Sequence, residues 1–331
     1  MNILVDAMGG DNAPEMIVLG CVEAVKAKTG FDISLYGDSK QIQRILEDNE
    51  GISERIKIVH CEEVISSDDT PTQAIKMKKD SSMVRSLVDH KENQGHAVIS
   101  AGNSGALLAG SLLITGRIDG VIRPALGAII PSGDKFCLLI DAGLNSTLRP
   151  ESYVQFAHFG SEYMKVMTDC KNPSVGLLNI GTEENKGKAE TKEAYELLQK
   201  SSINFYGNVE GHAIAQGTVD VIVSDGFTGN VCLKVLEGTA NYIFTNIKSI
   251  FNAGLINKIA ALILKKDFLA FKKTIDPDTM GGAPILGVNG LIIKSHGNSN
   301  SKTIKNVVLK TVYLLENQIV DKIKRVVAPA I

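Results

Sequence analysis

The residues of this chain best suited to chemistry lie in turns that follow short apolar stretches. Asp6 leads into the glycine pair Gly9-Gly10 after the apolar run Ile3–Val5. Glycines let another group approach the main chain closely, and a strand that feeds a helix through such a turn is where α/β proteins bind anions. A tight turn without a ligand is the alternative at this first position.

Later turns add amides, hydroxyls and one cation. The residues that we expect at a substrate or phosphate site are Asp6, Gly9, Gly10, Asn103, Ser104, Gly105, Asp141, Asn145, Thr182, Asp225, Thr228 and His296, with Lys186 as the cation. Such a set can orient an anion and stabilise an oxyanion. Three alternatives stay open: Asp141 could cap its own turn, Lys186 could be a solvated lysine, and His296 could be structural.

Several other chemistries lack their motifs. There is no G-x-S-x-G elbow, no G-x-x-x-x-G-K-[ST] loop, and no G-x-G-x-x-G after the first strand. The six histidines show no metal-ligand spacing, and the five scattered cysteines form no C-x-x-C pair. We therefore expect no metal and no redox cofactor, and no disulfide framework.

Composition points to a cytoplasmic protein without a nucleic-acid partner. A net charge of −2 gives no reason to expect nucleic-acid binding. The unpaired cysteines favour a reducing compartment, and neither a signal peptide nor an apolar run of about 18 residues is present.

The elements that must position these turns alternate along the chain. Strands such as Asp32–Tyr36, Ile56–His60 and Phe136–Ile140 interleave with helices, which predicts a mostly parallel sheet covered on both faces. Ligands of such sheets bind beyond the carboxyl ends of the strands, where we expect the turns to gather. We also predict single helices over Thr72–Arg85 and about Lys302–Val327, and one domain over residues 1–331.

In combination these turns resemble the bacterial phosphate acyltransferase family over nearly the whole chain. The matching blocks are Val5–Pro14, Lys78–Met83, Ser100–Ala106, Arg123–Ala125, Asn179–Gly187, Asp225–Asn230, Gly281–Pro284 and His296–Gly297. The resemblance implies a Rossmann-like α/β/α sandwich related to phosphotransacetylases and to isocitrate and isopropylmalate dehydrogenases. It also implies a homodimer.

The resemblance further implies transfer of a fatty acyl group from acyl carrier protein to inorganic phosphate. The acyl phosphate would serve a membrane glycerol-3-phosphate acyltransferase in phospholipid synthesis. Lys186 and Asn230 match the family's catalytic lysine and asparagine. The alternatives are a coenzyme A-dependent phosphotransacylase, a metal- and NAD-dependent decarboxylating dehydrogenase of similar fold, and a non-catalytic lipid- or carrier-binding scaffold.

Residues 231–273 form a distinct helical segment. Apolar residues recur at helical spacing up to Gly254, where we expect a corner, and a second apolar stretch follows that is too short to span a bilayer. From Lys248 to Lys273 there are six lysines and one acid. This pattern suits a helix pair lying on an anionic membrane, with contact through Leu255, Ile256, Ile259 and Leu262, although packing against a partner subunit is the alternative.

Overall fold

Eleven strands form one sheet in the computed structural model, which describes residues 1–47, 53–133, 135–168, 170–275 and 281–327. The strands are β1 (Asn2–Asp6), β2 (Asp32–Gly37), β3 (Ile56–His60), β4 (Ala97–Ser100), β5 (Ala125–Ser132), β6 (Lys135–Ile140), β7 (Val175–Leu178), β8 (Phe205–Val209), β9 (Val221–Val223), β10 (Ala283–Leu286) and β11 (Leu291–Lys294). Their order across the sheet is β3-β2-β1-β4-β11-β10-β5-β6-β9-β7-β8.

The sheet reverses direction in its middle. The strands from β3 to β11 pair in parallel, and so do the strands from β6 to β8. Between them β10 is antiparallel to both β11 and β5, and β5 is antiparallel to β6. The carboxyl ends of β1, β4 and β11 therefore lie at one edge of the sheet, and those of β6, β7 and β9 lie at the opposite edge.

Helices cover both faces of this sheet. They are α1 (Glu15–Ala27), α2 (Ser39–Glu47), α3 (Pro71–Met77), α4 (Ser82–Lys91), α5 (Ser104–Gly110), α6 (Pro150–Met167), α7 (Ala189–Lys200), α8 (Ala213–Gln216), α9 (Gly226–Asn252), α10 (Leu255–Ile275), α11 (Ser301–Glu316) and α12 (Ile319–Val327). A 3₁₀ turn spans Ser53–Arg55, and a π-helical turn, Ser111–Thr115, extends α5.

Alternate residues of each strand enter different cores. Ile3 and Val5 of β1 pack in the core with α1, α6 and α11, whereas Leu4 packs with α3, α4 and α5. A third cluster lies under α8 and α9, and Leu126 of β5 contacts both it and the cluster under α5. The predicted α/β/α sandwich with a mostly parallel sheet is thus confirmed.

Two predicted long helices are each broken in the structure. The helix expected over Thr72–Arg85 is α3 and α4, because Ser81 leaves the helical conformation and its hydroxyl accepts a hydrogen bond from Val84 N as the N-cap of α4. The helix expected over Lys302–Val327 is α11 and α12, separated at Gln318, whose φ is 53°. Both single-helix predictions were wrong because local capping overrode the apolar periodicity.

The helices α9 and α10 form a pair that turns at Gly254, as expected. Phe268 of α10 packs edge-on against Phe244 and Phe251 of α9, with ring centroids 5.8 and 5.7 Å apart. The outward residues are exposed: Leu255 is 79%, Ile256 81%, Leu262 71% and Ile259 54% accessible. Within the described residues no helix is both long enough and apolar enough to cross a bilayer. The side chains of Lys272 and Lys273 lie outside the described part.

Candidate active site

The expected site residues form two groups, because the sheet reverses between them. The first group follows β1, β4 and β11 and centres on Asp6, which is buried. Its carboxylate accepts hydrogen bonds from the hydroxyls of Ser82 and Ser100, each at 2.6 Å. Burial raises the pKa of Asp6, and these hydrogen bonds oppose the rise. Asp6 therefore ties α4 and β4 to the first turn.

The glycines of the first turn permit close contact between backbones. A Cβ on Gly9 would lie 2.5 Å from Asp6 Oδ2 and 2.7 Å from Gly102 N. Gly10 has a φ of +108° and faces the carbonyl oxygen of Gly297, which accepts a hydrogen bond from Asp11 N at 2.7 Å. These residues bring three turns together, and the N–H of Asp11 is already occupied by protein.

Asn103 holds a neighbouring loop in place. Its Oδ1 caps α5 by accepting from Ala106 N at 3.0 Å, while its Nδ2 donates to carbonyl oxygens in residues 66–69 at 3.0–3.2 Å. Gly105 packs against Pro71, which a Cβ would approach to 2.6 Å. Ser104 is left as the exposed polar side chain of this turn.

The second group lies at the opposite edge and centres on Asp141. This buried carboxylate accepts hydrogen bonds from the backbone N–H groups of Leu126, Leu144 and Asn145 at 2.7–3.0 Å, and from Asn145 Nδ2 at 2.8 Å. Burial raises its pKa, against the effect of these donors. Asp141 thus shapes its own turn, as the capping alternative proposed, and holds the Asn145 side chain, whose Nδ2 also donates to Pro124 O.

The start of α9 packs directly on that turn. Asp225 caps the helix by accepting from Thr228 N at 2.8 Å and from Thr228 Oγ1 at 2.9 Å. A Cβ on Gly229 would lie 2.0 Å from Asp141 O, so only glycine allows this approach. Asn230 follows with an exposed side chain beside Gly143.

Lys186 lies in the exposed loop after β7. Since β7 pairs with β9, this loop borders the same sheet edge as Asn230. Asn179 Nδ2 donates a hydrogen bond to Lys186 O at 3.1 Å, and Lys186 Nζ lies 3.7 Å from Glu183 Oε1. An exposed ion pair of this kind contributes about 0–1 kcal/mol to stability, so the Lys186 ammonium can leave Glu183 and contact a bound ligand at little cost. Thr182 is exposed in the same loop.

The polar face of α9 connects the two groups. Seven residues after Asn230, Glu237 contacts both His296 Nε2 at 3.5 Å and Lys234 Nζ at 2.8 Å. The hydrogen bonds from His296 and then Lys234 lower the pKa of Glu237 to about 2, against its partial burial. At 1.5 Å per residue, Asn230 and the His296 contact are about 10 Å apart along the helix. Both groups therefore border one stretch of α9.

Sequence reasoning missed a cluster of arginines beside the second group. Arg117, Arg123 and Arg149 line a cavity of about 610 Å³. An adjoining cavity of about 360 Å³ shares Arg117 and Arg123 and reaches Asn145. Arg123 entered the sequence argument only within a family block, since these arginines come from two loops and share no spacing.

The aspartates that a metal-dependent dehydrogenase could use divide between the two groups, Asp6 and Asp11 in the first and Asp141 and Asp225 in the second. Asp6 is the last residue of β1 and Asp141 follows β6, and these two strands end at opposite edges of the sheet. Throughout the described ranges, no three His, Cys, Asp or Glu side chains are grouped so that they could hold a metal ion.

The fold places the chain among the layered α/β proteins whose central sheet reverses direction. Its fold is similar to the crystal structure of a phosphotransacetylase from Streptococcus pyogenes, with a TM-score of 0.62 and 16% identity, over 97% of this chain and 94% of that one. This likeness defines the class of fold.

The family is shown by sequence. Residues 1–322 match the family described as "Fatty acid synthesis protein". A protein of Acetivibrio thermocellus named phosphate acyltransferase is 55% identical over 98% of this chain and 96% of its own length. One of the same name from Clostridium novyi is 44% identical over 98% of both. The chain belongs to the fatty acid synthesis protein family, which confirms the resemblance that the motifs carried.

Proposed function

We propose that this protein transfers a long-chain fatty acyl group from acyl carrier protein to inorganic phosphate. The acyl phosphate then serves glycerol-3-phosphate acylation in phospholipid synthesis. One observation carries the proposal: polar turns and a cluster of arginines lie near the start of α9, in a chain whose relatives are named phosphate acyltransferase. This is a site for anions rather than for a protein nucleophile.

The chemistry needs little beyond placement and charge. A phosphate oxygen attacks the thioester carbonyl carbon, the carbonyl becomes an oxyanion, and the C–S bond then breaks to release the carrier thiolate. Phosphate is already anionic at neutral pH, and a thiolate is a modestly basic leaving group, so neither a protein nucleophile nor a strong acid is required. Orientation of the phosphate against the thioester, together with hydrogen-bond donors to the oxyanion, accounts for the rate enhancement.

Lys186 and Asn230 are the side chains that we assign to this step. The Lys186 ammonium would neutralise phosphate or the oxyanion, and the Asn230 amide would donate to the tetrahedral intermediate. Both are exposed at the same sheet edge, and Asn230 is positioned by the contact of Gly229 with Asp141. The remaining turn residues would shape the site around them.

Acyl phosphate formation tests the proposal. Purified protein is incubated with palmitoyl-acyl carrier protein and phosphate in EDTA, and the product is trapped with hydroxylamine. We expect full activity without metal or nucleotide. Strict dependence on NAD or a divalent metal would contradict the proposal. A preference for palmitoyl-coenzyme A would show that the acyl donor is a coenzyme A thioester rather than acyl carrier protein.

The two catalytic assignments are tested by truncation. Lys186→Ala and Asn230→Ala should each lower kcat about a hundredfold, the usual loss of a transition-state donor, with little change in Tm because both are exposed. Lys192→Ala and Asn241→Ala, exposed on α7 and α9, are matched controls. Near-normal turnover of either site variant would refute its assignment.

A homodimer would cover the exposed outer stripe of α9. Phe227, Val231, Val235 and Tyr242 recur at helical spacing on one side of the helix, and all four are exposed. Exposed apolar patches of this kind mark interfaces, and two-fold dimers are the commonest assembly. Sedimentation at low micromolar concentration should show a dimer for the wild type and a monomer for Val235→Glu. A monomeric wild type would count against this.

The location that we propose is the cytoplasm, with peripheral attachment to anionic membrane through the α9–α10 tip. The product is poorly soluble in water and its proposed consumer is a membrane glycerol-3-phosphate acyltransferase. The exposed Leu255, Ile256, Ile259 and Leu262 beside exposed lysines such as Lys258 suit that contact.

A further inference from the structure

The arginine cavity is lined by residues from two loops and the start of a helix. Arg117 and Arg123 come from the loop before β5, and Arg149 immediately precedes α6. The cavity of about 610 Å³ is completed by Ile122, Thr147, Leu148 and Ser152. The adjoining cavity of about 360 Å³ adds Leu108, Leu112, Pro124, Leu144 and Asn145. One side is therefore cationic and the other apolar.

The loop that carries two of the arginines is braced at several points. Arg117 Nη1 donates to Ile122 O at 2.5 Å, and Ile122 N donates to Gln155 Oε1 of α6 at 2.9 Å. At the far end, Asn145 Nδ2 donates to Pro124 O at 2.8 Å. These bonds hold Arg123 between two fixed points, so little ordering is needed when a ligand binds.

The charge of this cavity is unbalanced. Across the described residues, Arg117, Arg123 and Arg149 take part in no ion pair with a carboxylate. The N-terminus of the 18-residue helix α6 adds its positive dipole end. Guanidinium groups present N–H donors that match phosphate oxygens.

A second observation points independently to a ligand. Ser152 is fully buried and lines the larger cavity, and among the residues that the structure describes its Oγ has no hydrogen-bond partner. A buried hydroxyl without a partner is destabilising, so such groups normally have a hydrogen-bond partner. A phosphate oxygen in the cavity would accept the missing hydrogen bond.

We propose that this cavity binds a phosphoryl group next to an apolar chain, through Arg117, Arg123, Arg149 and the Ser152 hydroxyl. The leucines Leu108, Leu112 and Leu144 would contact the apolar part. The identity of the ligand rests on the proposed function, which supplies two sources of this chemistry. One is inorganic phosphate, which becomes the head of the acyl phosphate product, and the other is the phosphodiester of a pantetheine arm on the donor.

Binding of inorganic phosphate to the purified protein is the first test. Calorimetric titration of the wild type is compared with Arg123→Gln, Arg149→Gln and Ser152→Ala. Arg44→Gln, which changes an exposed arginine on α2, is the control. If free phosphate is the ligand, each arginine change should weaken binding about tenfold to a hundredfold, since a charge-assisted hydrogen bond is lost. Circular dichroism and Tm confirm that each variant is folded.

Steady-state kinetics distinguish the two sources. A rise in KM for phosphate alone supports the free ion. A rise in KM for palmitoyl-phosphopantetheine, with none for palmitoyl-pantetheine lacking the phosphate, supports the donor arm. If the arginine variants bind phosphate like the wild type and leave the KM values of both substrates unchanged, the proposal is wrong.

These experiments distinguish failure of phosphoryl binding at the cavity from failure of the proposed reaction. If the wild type forms no acyl phosphate but binds inorganic phosphate, and Arg123→Gln weakens that binding, the cavity is supported and the proposed reaction is refuted. If the wild type forms acyl phosphate at rates unaffected by all four changes, Arg117→Gln included, the reaction is supported and the cavity is refuted.

Discussion

Leu255→Glu should release the protein from anionic membranes, and the structure sets the size of the effect. Burying a whole leucine side chain is worth about 1.5–3 kcal/mol, and Leu255 is 79% exposed at the start of α10. Insertion of that exposed fraction would contribute about 1.2–2.4 kcal/mol, which at about 1.4 kcal/mol per tenfold is roughly sevenfold to fiftyfold in partitioning. Repulsion between the new carboxylate and anionic lipid adds to this loss.

The exposed fraction of each side chain also predicts which substitution weakens membrane binding more. Ile259 is 54% exposed, so Ile259→Glu removes less insertable surface, worth roughly fourfold to fifteenfold by the same arithmetic. Met77 on α3 is 72% exposed and has no place in the proposed contact, so Met77→Glu is the matched control. It should float like the wild type.

Liposome flotation measures the effect. The wild type should float with vesicles containing anionic lipid at low salt and less so at high salt, because lysine attraction is screened. Leu255→Glu should remain at the bottom while its activity in solution stays close to that of the wild type. If the wild type fails to float at low salt, or Met77→Glu is lost equally, the helix pair is not a membrane contact.

Three further predictions follow from individual contacts. Glu237, whose pKa is lowered from 4.5 to about 2, contributes stability that is fully present above pH 4.5 and is lost as pH falls through about 2. The unfolding free energies of wild type and Glu237→Gln should therefore differ at pH 7, draw closer below pH 4.5 and converge only near pH 2, and a constant difference would exclude the ion pair. Gly229→Ala should lower both Tm and kcat, because its Cβ would lie 2.0 Å from the backbone of the Asp141 turn. The control is Gly238→Ala on the same helix, whose Cβ meets nothing within 4 Å, so its Tm should be equal to or higher than that of the wild type. Equal effects of the two changes would refute the packing argument. Ser81→Ala should cost about 1 kcal/mol in urea unfolding through loss of the α4 cap, and no change would show that this cap is dispensable.

Local sequence was enough to predict the elements that carry the turns. β3 lies at Ile56–His60 as expected, β1 and β6 end at Asp6 and Ile140 where the turns were predicted, and Gly254 separates α9 from α10. These features depend on alternating apolar residues, on continuous apolar runs and on glycine, all of which act over a few residues. The catalytic roles of Lys186 and Asn230 stay predictions that came from a family motif.

Which turns meet was decided only by the tertiary structure. The sequence predicted one gathering of turns, but β10 and β5 reverse the sheet and send the Asp6 and Asp141 turns to opposite edges. Strand pairing between residues about 160 positions apart, such as Leu126 with Ile285, leaves no periodic trace in either segment. The contact between Glu237 and His296 likewise depends on how α9 packs, and the arginine cavity depends on how α6 packs. Motif and periodicity therefore determined the family and the elements, whereas long-range packing determined the shape of the site.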